Sequence, residues 1–216
     1  AQVTAALVTA GTLVEVTDAT VTLNDTPTIS ELNDIAAKTT GVVTATLAAN
    51  SLANLGALAT ASTDVITITV NDNAGDALTA ANLSTLGGKT AGTVTVSNAV
   101  VITGDHDQLT AALVTAGTKV VASTALATMN DANGVAVSAT ELSAIGGATT
   151  GTVTVSNAVA ITGDHDQVTA ALVTAGTKVE VTAATVTIND ADATAVAATE
   201  LSAIGGSTTG TVTVTN

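Results

Sequence analysis

Aspartate recurs in short polar segments along the chain, and carboxylates at such spacing could bind a hard cation. One kind of segment reads Asp-His-Asp, at 105–107 and 164–166, and the other kind combines Asp with Asn. Clustered carboxylates repel one another, and Ca²⁺, which takes oxygen ligands, would relieve the repulsion. The aspartates that we consider as Ca²⁺ ligands are Asp25, Asp72, Asp76, Asp105, Asp107, Asp131, Asp164, Asp166, Asp190 and Asp192.

The same aspartates also have a purely structural interpretation. Asp and Asn directly before a helix are N-caps and turn formers. No segment matches the ligand spacing of an EF-hand loop. The sequence therefore leaves open whether these residues are caps alone or also bind Ca²⁺, and it predicts no other cofactor.

His106 and His165 lie between two aspartates each, in equivalent positions of a repeat. We expect them to be solvated loop side chains. The alternative is that they bind transition-metal ions, one ion each, since two coils of a stacked fold would separate them by about 10 Å. A catalytic site is seldom duplicated along a repeat array, and no Ser-His-Asp order, phosphate loop or zinc motif is present. We therefore predict that the protein is not an enzyme.

Threonine alternates with valine in several segments, which predicts strands with one apolar and one hydroxylated face. We expect the Thr-x-Thr segments 93–95, 152–154 and 211–213 to stack as one ladder, and 20–22 to stack with 185–187. Flat Thr-x-Thr arrays are a feature of some ice-binding solenoids. Against such an array, Glu15, Glu180, Lys119 and Lys178 would interrupt the first ladder, because both lysines are expected to open strands.

The composition excludes several classes of function. The 216 residues carry a net charge of −14, with 4 basic residues, no aromatic residue and no cysteine. Nucleic-acid binding needs cationic and stacking side chains, so it is excluded. No apolar run approaches the length of a membrane span, which predicts no membrane insertion. The core must be built from Ala, Val, Leu and Ile.

The positioning elements follow from internal repeats. Residues 92–150 and 151–209 are near-identical repeats of equal length, and the rest of 1–216 follows the same plan, so we predict a single repeat array. Val-rich segments mark one strand per coil. These markers are 13–16, 42–45, 65–68, 93–96, 119–122, 152–155, 178–181 and 211–214.

Each predicted coil contains two strands and a short helix. One helix runs from near Gln167 to Ala175, and another type begins with the capping boxes Thr28–Glu31 or Ser138–Glu141 and ends at a Gly pair in the left-handed conformation. Such short elements are stable only when stacked. We predict a right-handed α/β solenoid of about seven strand–strand–helix coils with parallel ladders, stacked as in leucine-rich repeats. A doubly wound sheet is the alternative. The predicted coils are 13–41, 42–64, 65–92, 93–118, 119–151, 152–177 and 178–210.

Two segments carry a family resemblance: TISELNDIAAKTTGVVTATL at 28–47 and ATELSAIGGATTGTVTVSNAVAIT at 139–162. They resemble the Thr/Ala/Val-rich repeats of very large cyanobacterial extracellular proteins, which often carry RTX-type calcium-binding repeats. The RTX nonapeptide is absent, so its calcium chemistry is not carried over. The resemblance implies secretion and a role at the cell surface, in a sheath or in a matrix.

The chain begins within a predicted helix and stops after a predicted strand. We expect either a segment of a longer array or head-to-tail self-association into a filament. The function predicted is therefore a non-enzymatic structural protein of an extracellular fibre, sheath or adhesin stalk, with itself and glycans as partners. The alternative is a surface module that binds Ca²⁺, ice or polysaccharide.

Overall fold

The protein was analysed as a computed structural model, and the structure describes residues 2–9, 11 and 14–215. The described residues form short helices and short strands in alternation. The helices are α1 (Gln2–Leu7), α2 (Ile29–Ala36), α3 (Leu52–Leu55), α4 (Ala80–Gly87), α5 (His106–Leu109), α6 (Ala139–Gly147), α7 (His165–Leu172) and α8 (Ala198–Gly206). A π-helical turn (Thr110–Val114) continues α5, and 3₁₀ turns are formed by Ala116–Thr118 and Ala175–Thr177.

The strands are all short, and the longest of them is β3. They are β1 (Val21–Thr22), β2 (Val43–Thr46), β3 (Val65–Val70), β4 (Ala77–Thr79), β5 (Val94–Val96), β6 (Val101–Gly104), β7 (Val120–Val121), β8 (Leu126–Met129), β9 (Ala136–Ser138), β10 (Val153–Val155), β11 (Ala160–Gly163), β12 (Val179–Val181), β13 (Thr185–Ile188) and β14 (Val212–Val214).

The strands form three separate sheets, and every pairing between them is parallel. The orders are β1-β2-β3-β5-β7, β4-β6-β8-β10-β12 and β9-β11-β13-β14. Within each sheet the strands follow one another in chain order. We call the stretch from one residue to its partner in the next strand a coil. A short coil runs from Thr44 to Val65, and a longer one runs from Val153 to Val179.

The predicted alternation of strands and helices with parallel pairing is confirmed. Seven of the eight Val-rich markers overlap a strand. The marker 13–16 is the exception: Leu13 lies outside the described residues, and Val14–Val16 form no strand. Within the part of the chain that the structure describes, Val14 and Val16 pair with no strand. The seven coil boundaries stay a prediction.

The core consists of aliphatic side chains that point inward from strands and helices. In β10, Val153 and Val155 are buried and Thr154 is exposed, so the alternation of Val and Thr becomes an inner and an outer face. Ile102 from a strand and Leu142 from a helix are fully buried. Parallel sheets are usually covered on both faces. Here one face carries hydroxyl groups, which water can solvate.

The helix starts agree with the predicted caps, but the predicted helix ends are wrong. Thr28 and Glu31 form a complete capping box, and the Ser138 hydroxyl accepts a hydrogen bond from Glu141 N. Gly146 and its neighbour lie inside α6 with right-handed helical geometry and are not left-handed caps. A Cβ at Gly146 would lie 2.3 Å from the carbonyl oxygen of Thr177. The glycine is required because the following coil packs directly on the helix.

Lys119 and Lys178 do not open strands as expected. Each has the left-handed backbone conformation, with φ of 55° and 51°, and the strand begins one residue later. A lysine with a Cβ is strained there by about 1 kcal/mol. The turn is imposed by the 3₁₀ segment that precedes each lysine.

A Thr-x-Gly motif connects consecutive coils. Thr90 Oγ1 accepts hydrogen bonds from the backbone of Ile66 and of Gly92, both at 2.8 Å. It also lies 2.9 Å from Ile66 O, within reach to donate. A Cβ at Gly92 would lie 2.3 Å from Ile66 O, so the two coils touch through backbone atoms. The motif recurs at Thr39-Gly41, Thr149-Gly151 and Thr208-Gly210.

Candidate functional site

The two Asp-His-Asp segments sit at helix starts, where backbone N–H groups lack partners within the helix. Asp105 is the N-cap of α5, and its carboxylate accepts from Gln108 N at 2.8 Å, while the Gln108 side chain reaches back to Asp105 N. Asp164 and Gln167 form the same capping box on α7. The cap interpretation is thus confirmed for these two aspartates.

His106 is consequently the first residue of α5, and its backbone N–H donates a hydrogen bond to a residue of the next coil. After β8, Asn130 N donates to Gly104 O, which holds the following loop against the helix start. Asp131 Oδ2 then accepts from His106 N at 2.8 Å. His165 N makes longer bonds to Asp190, at 3.3 and 3.4 Å. Equivalent residues therefore take the same part in both repeats.

The same buried carboxylates orient the imidazole rings. His106 Nδ1 lies 2.6 Å from Asp131 Oδ1, and His165 Nδ1 lies 2.6 Å from Asp190 Oδ1. The Asp131 side chain is 3% exposed and that of His106 is 16% exposed. A carboxylate only accepts, so Nδ1 carries the proton and Nε2 faces the opposite side. The prediction that both histidines are solvated loop side chains is therefore wrong. Both rings are mostly buried, because each lies between its own coil and the aspartate of the next coil.

The neighbouring aspartate lies on the Nε2 side of each ring, and a glutamate completes a group of three possible ligands. His106 Nε2 is 3.6 Å from Asp107 Oδ1, and His165 Nε2 is 3.5 Å from Asp166 Oδ1. In each set the ligand atoms of a histidine, an aspartate and a glutamate all lie within 4.8 Å of one another. We call His106, Asp107 and Glu141 the first His cluster, and His165, Asp166 and Glu200 the second His cluster.

The glutamates come from the helices that follow, α6 and α8, so each cluster joins two helices. Glu141 accepts from the Ser138 hydroxyl at 2.8 Å. Glu200 has Ala197 at the equivalent cap position and accepts instead from Thr169 Oγ1 at 2.7 Å. The equivalent hydroxyl in the first repeat, Thr110 Oγ1, is buried without a hydrogen-bond partner.

The negative surroundings raise the pKa of both histidines. Desolvation acts to lower the pKa of His106, but the hydrogen bond to Asp131 and the charges of Asp131, Asp107 and Glu141 raise it by more. The pKa of His165 is raised chiefly by its hydrogen bond to Asp190, against a smaller effect of desolvation. The carboxylates around each ring therefore favour its protonated form.

Of the ten aspartates considered for Ca²⁺, the structure brings Asp107 and Asp166 into clusters of three ligating groups, and Asp131 and Asp190 onto the histidines. Asp72 accepts from Leu52 N at 2.7 Å, and so covers a helix start like Asp131 and Asp190. Asp76 accepts from Asn73 N in a turn. Asp25 and Asp192 are exposed. Calcium binding stays a prediction.

Three acidic residues of this architecture were not singled out from the sequence as site residues. The sequence pattern assigns Glu141 to a capping box and gives Glu200 no role, although Glu141 follows His106 at the same spacing as Glu200 follows His165. Buried Asp64 accepts from Val43 N and from Ala61 N, both at 2.8 Å. The sequence offered no signal for it, because the second and third repeats have Ser123 and Thr182 there.

The expected threonine ladder is wrong in its members. Strands β5, β10 and β14 lie in three different sheets, because the sequence repeat is not a whole number of coils. Residues 20–22 and 185–187 also belong to different sheets. The columns that do form run through strands of consecutive coils. One column consists of Thr79, Thr103, Thr128 and Thr154 and ends at Glu180, and another consists of Ser138, Thr162, Thr187 and Thr213.

Comparison of the chain with protein-family models, with curated proteins and with solved structures finds no match. Within the described ranges, no helix is long and apolar enough to cross a membrane. The site must therefore be interpreted from its own geometry.

Proposed function

We propose that the protein is a non-enzymatic structural repeat protein, a right-handed α/β solenoid whose coils stack along one axis. The observation that carries the proposal is the strand register. In all three sheets the strands follow chain order, and each residue pairs with a partner one coil further along, as Thr44 does with Val65 and Val153 with Val179. A chain that returns to a sheet edge at such a regular interval extends a stack rather than closing around one core.

The hydrogen bonds between coils support a structural role. The Thr-x-Gly motif at Thr90, Thr149 and their equivalents places a hydroxyl between the backbones of two coils. Asn98 Nδ2 donates to Asp72 O at 2.7 Å, and Asn157 Nδ2 donates to Asp131 O at 2.6 Å, at another corner. The same donors and acceptors thus recur between coils from one sequence repeat to the next. The partner proposed is accordingly more of the same sequence.

The proposed setting is an extracellular fibre, sheath or adhesin stalk. A chain with net charge −14, no cysteine and a threonine-rich outer face suits an exposed scaffold that is built without disulfides. The side chains that could bind a ligand or react recur as the two equivalent His clusters, as expected in a stack of similar units. This recurrence supports a scaffold rather than an enzyme with one catalytic centre.

The experiment measures how length depends on repeat number. Because the chain has no cysteine, spin labels can be placed through Asp34→Cys and Thr213→Cys, with zero to four copies of residues 151–209 inserted after Thr209. A solenoid lengthens by about 11 Å per copy, which is just over two coils at about 4.8 Å each. A distance that stays nearly constant as copies are added would overturn the proposal. The unlabelled proteins, compared by circular dichroism, are the control for folding.

A binding face is the second candidate function, and the column Thr79–Thr103–Thr128–Thr154 favours it. Hydroxyl groups repeated at about 4.8 Å could match the lattice of ice or the hydroxyl groups of a polysaccharide. Thermal hysteresis and glycan binding are the measurements, with Thr103→Val and Thr128→Val as the variants. A signal that the two substitutions leave unchanged would exclude this column as the binding face.

A further inference from the structure

Each histidine in this protein is built in the manner of a metal ligand. Ligating histidines donate the second ring N–H to a carboxylate, which fixes the tautomer and the ring plane. His106 and His165 both do so, toward Asp131 and Asp190, whose side chains are 3% and 4% exposed. The other ring nitrogen, Nε2, lies 3.6 Å from Asp107 in the first His cluster and 3.5 Å from Asp166 in the second.

We propose that the first and second His clusters each bind one divalent transition-metal ion of the zinc type. The ligands are His Nε2, one oxygen of the neighbouring aspartate and one oxygen of the glutamate from the next helix. One imidazole and two carboxylates suit Zn²⁺, Co²⁺ or Mn²⁺. Ca²⁺ is bound by oxygen atoms and would gain little from the imidazole.

The distances between the ligand atoms are slightly longer than those around a bound ion, so the side chains would move closer together on binding. Ligand atoms up to 4.8 Å apart would move together by about 1 Å to reach metal–ligand distances near 2.1 Å. The movement is available because Asp107 and Asp166 are exposed, at 84% and 87% of the side chain. The histidine is the fixed member, held by a buried carboxylate, and the aspartate is the adjustable member.

Charge supports the same assignment. In and beside the first cluster, the three carboxyl groups of Asp107, Asp131 and Glu141 lie around one imidazole. The chain offers only 4 basic residues in total. A divalent ion would offset most of this charge, and it would also tie α5 to α6.

The hydroxyl of Thr110, the residue equivalent to Thr169 in the other repeat, provides an independent observation. Thr110 Oγ1 is buried without a partner, whereas the equivalent Thr169 Oγ1 donates to Glu200. Buried polar side-chain atoms in folded proteins nearly always have a hydrogen-bond partner. An ion with three protein ligands retains bound water, and such a water would give the Thr110 hydroxyl a partner.

The test counts ions per chain. The full chain, stripped with EDTA and dialysed, is titrated at pH 7.5 with ZnCl₂ by calorimetry and with CoCl₂ by visible absorption. We expect two ions per chain for the parent, one for Asp107→Asn, one for Asp166→Asn and none for the double variant. Because both aspartates are exposed, the metal-free variants should have nearly the same melting temperature as the metal-free parent.

A matched control removes the same charge elsewhere. Asp18→Asn with Asp34→Asn, both outside the two His clusters, should leave two ions per chain. Side-chain ¹⁵N NMR should show that Zn²⁺ shifts Nε2 of both histidines more than Nδ1. Asp131→Asn should weaken binding at the first cluster by about 10- to 100-fold, because the ring loses its orienting partner.

Three results would overturn the proposal. The first is no binding of Zn²⁺ or Co²⁺ at 1 mM ion. The second is a stoichiometry that stays at two in the double variant, which would place the ions elsewhere. The third is displacement of Zn²⁺ by equimolar CaCl₂, which would show that the sites are calcium sites. None of these outcomes depends on whether the fold is a solenoid.

Discussion

At the scale of the residue, one buried carboxylate does two tasks in this protein. Asp131 accepts from the backbone of His106 with one oxygen and from its ring with the other, and Asp190 likewise accepts from the backbone and the ring of His165. Each aspartate therefore completes a helix start in the coil before it and fixes an imidazole. The helix start is closed from outside its own coil, which makes the histidine part of the contact between coils.

The raised pKa of both histidines predicts a pH-dependent stability when metal is removed. The folded state holds the ring proton more tightly than the unfolded state, whose pKa is about 6.5. The stabilisation is therefore complete below about pH 6.5 and is lost as pH rises through the higher folded pKa. Urea melts in EDTA between pH 6 and 8 should show a free energy of unfolding that falls with pH.

His106→Gln with His165→Gln is the control for this prediction. The other titrating groups are the same in both proteins, so the decline between pH 6 and 8 should shrink in the variant. An equal decline in both proteins would contradict the assignment to these histidines.

Three equivalent turn positions give a second prediction. Gly75 and Gly134 have φ of 84° and 78°, and the third equivalent is Ala193, with φ of 65°. A Cβ costs about 1 kcal/mol in this conformation. We expect Ala193→Gly to raise the free energy of unfolding by about 1 kcal/mol and Gly134→Ala to lower it by a similar amount, measured by urea denaturation.

Gly147→Ala is the matched control for the turn. It introduces the same methyl group in α6, where no atom lies within 4 Å and the backbone is helical. There the substitution should stabilise by about 0.4–1 kcal/mol. The same sign at positions 134 and 147 would show that the left-handed turn is not the cause.

At the scale of the element, contacts with the neighbouring coils stabilise the strands and helices more than interactions within each element do. Strands as short as these are not stable alone. Here each is bonded to strands in neighbouring coils, and a threonine hydroxyl closes the corner where a helix gives way to a strand. Packing between coils therefore explains why such short elements persist.

Thr90→Val tests that corner. The substitution leaves the N–H groups of Ile66 and Gly92 without the hydroxyl acceptor in a buried place. We expect a loss of about 2–4 kcal/mol in the free energy of unfolding. Thr95→Val makes the same chemical change on an exposed strand position and should lie within about 0.5 kcal/mol of the parent. Equal losses at the two positions would contradict a role for the corner.

The elements themselves could be predicted from the sequence, but their neighbours could not. The Thr–Val alternation of 152–155 predicts β10 correctly, because local pattern decides which face is apolar. The prediction that β5, β10 and β14 form one ladder is wrong, because strands pair when they lie one coil apart and not when they lie one sequence repeat apart. Gly146 was assigned to a cap for a similar reason, since its contact with Thr177 is visible only when coils are stacked. Glu141 joins His106 through the same stacking.

At the scale of the whole molecule, charge opposes the compact state. The net charge is −14 over 216 residues, and self-repulsion of this kind destabilises folded proteins. The parallel sheets have to hold together against it through aliphatic packing and hydrogen bonds between coils.

Salt should therefore stabilise the molecule. Raising NaCl from 20 to 500 mM shortens the Debye length to about 4 Å, so repulsion between carboxylates of different coils is screened. We expect Tm to rise by several degrees in EDTA, by calorimetry. Choline chloride at the same ionic strength should give a similar rise, which separates screening from binding of a particular cation. A Tm that is flat or falls with both salts would contradict the prediction.

The mismatch between repeat and coil has a consequence for how such a sequence evolves. Because β5, β10 and β14 carry the same residues yet belong to three different sheets, a tandem duplication of one repeat in the proposed solenoid would not present its side chains in the direction of the parent copy. Unequal crossing-over would add length and, in the proposed solenoid, would also turn each new copy toward another side. A mutation that gene conversion spreads through the array would then appear on every side of the stack. Selection on one sequence repeat would in this way change the residues on all sides of the proposed solenoid.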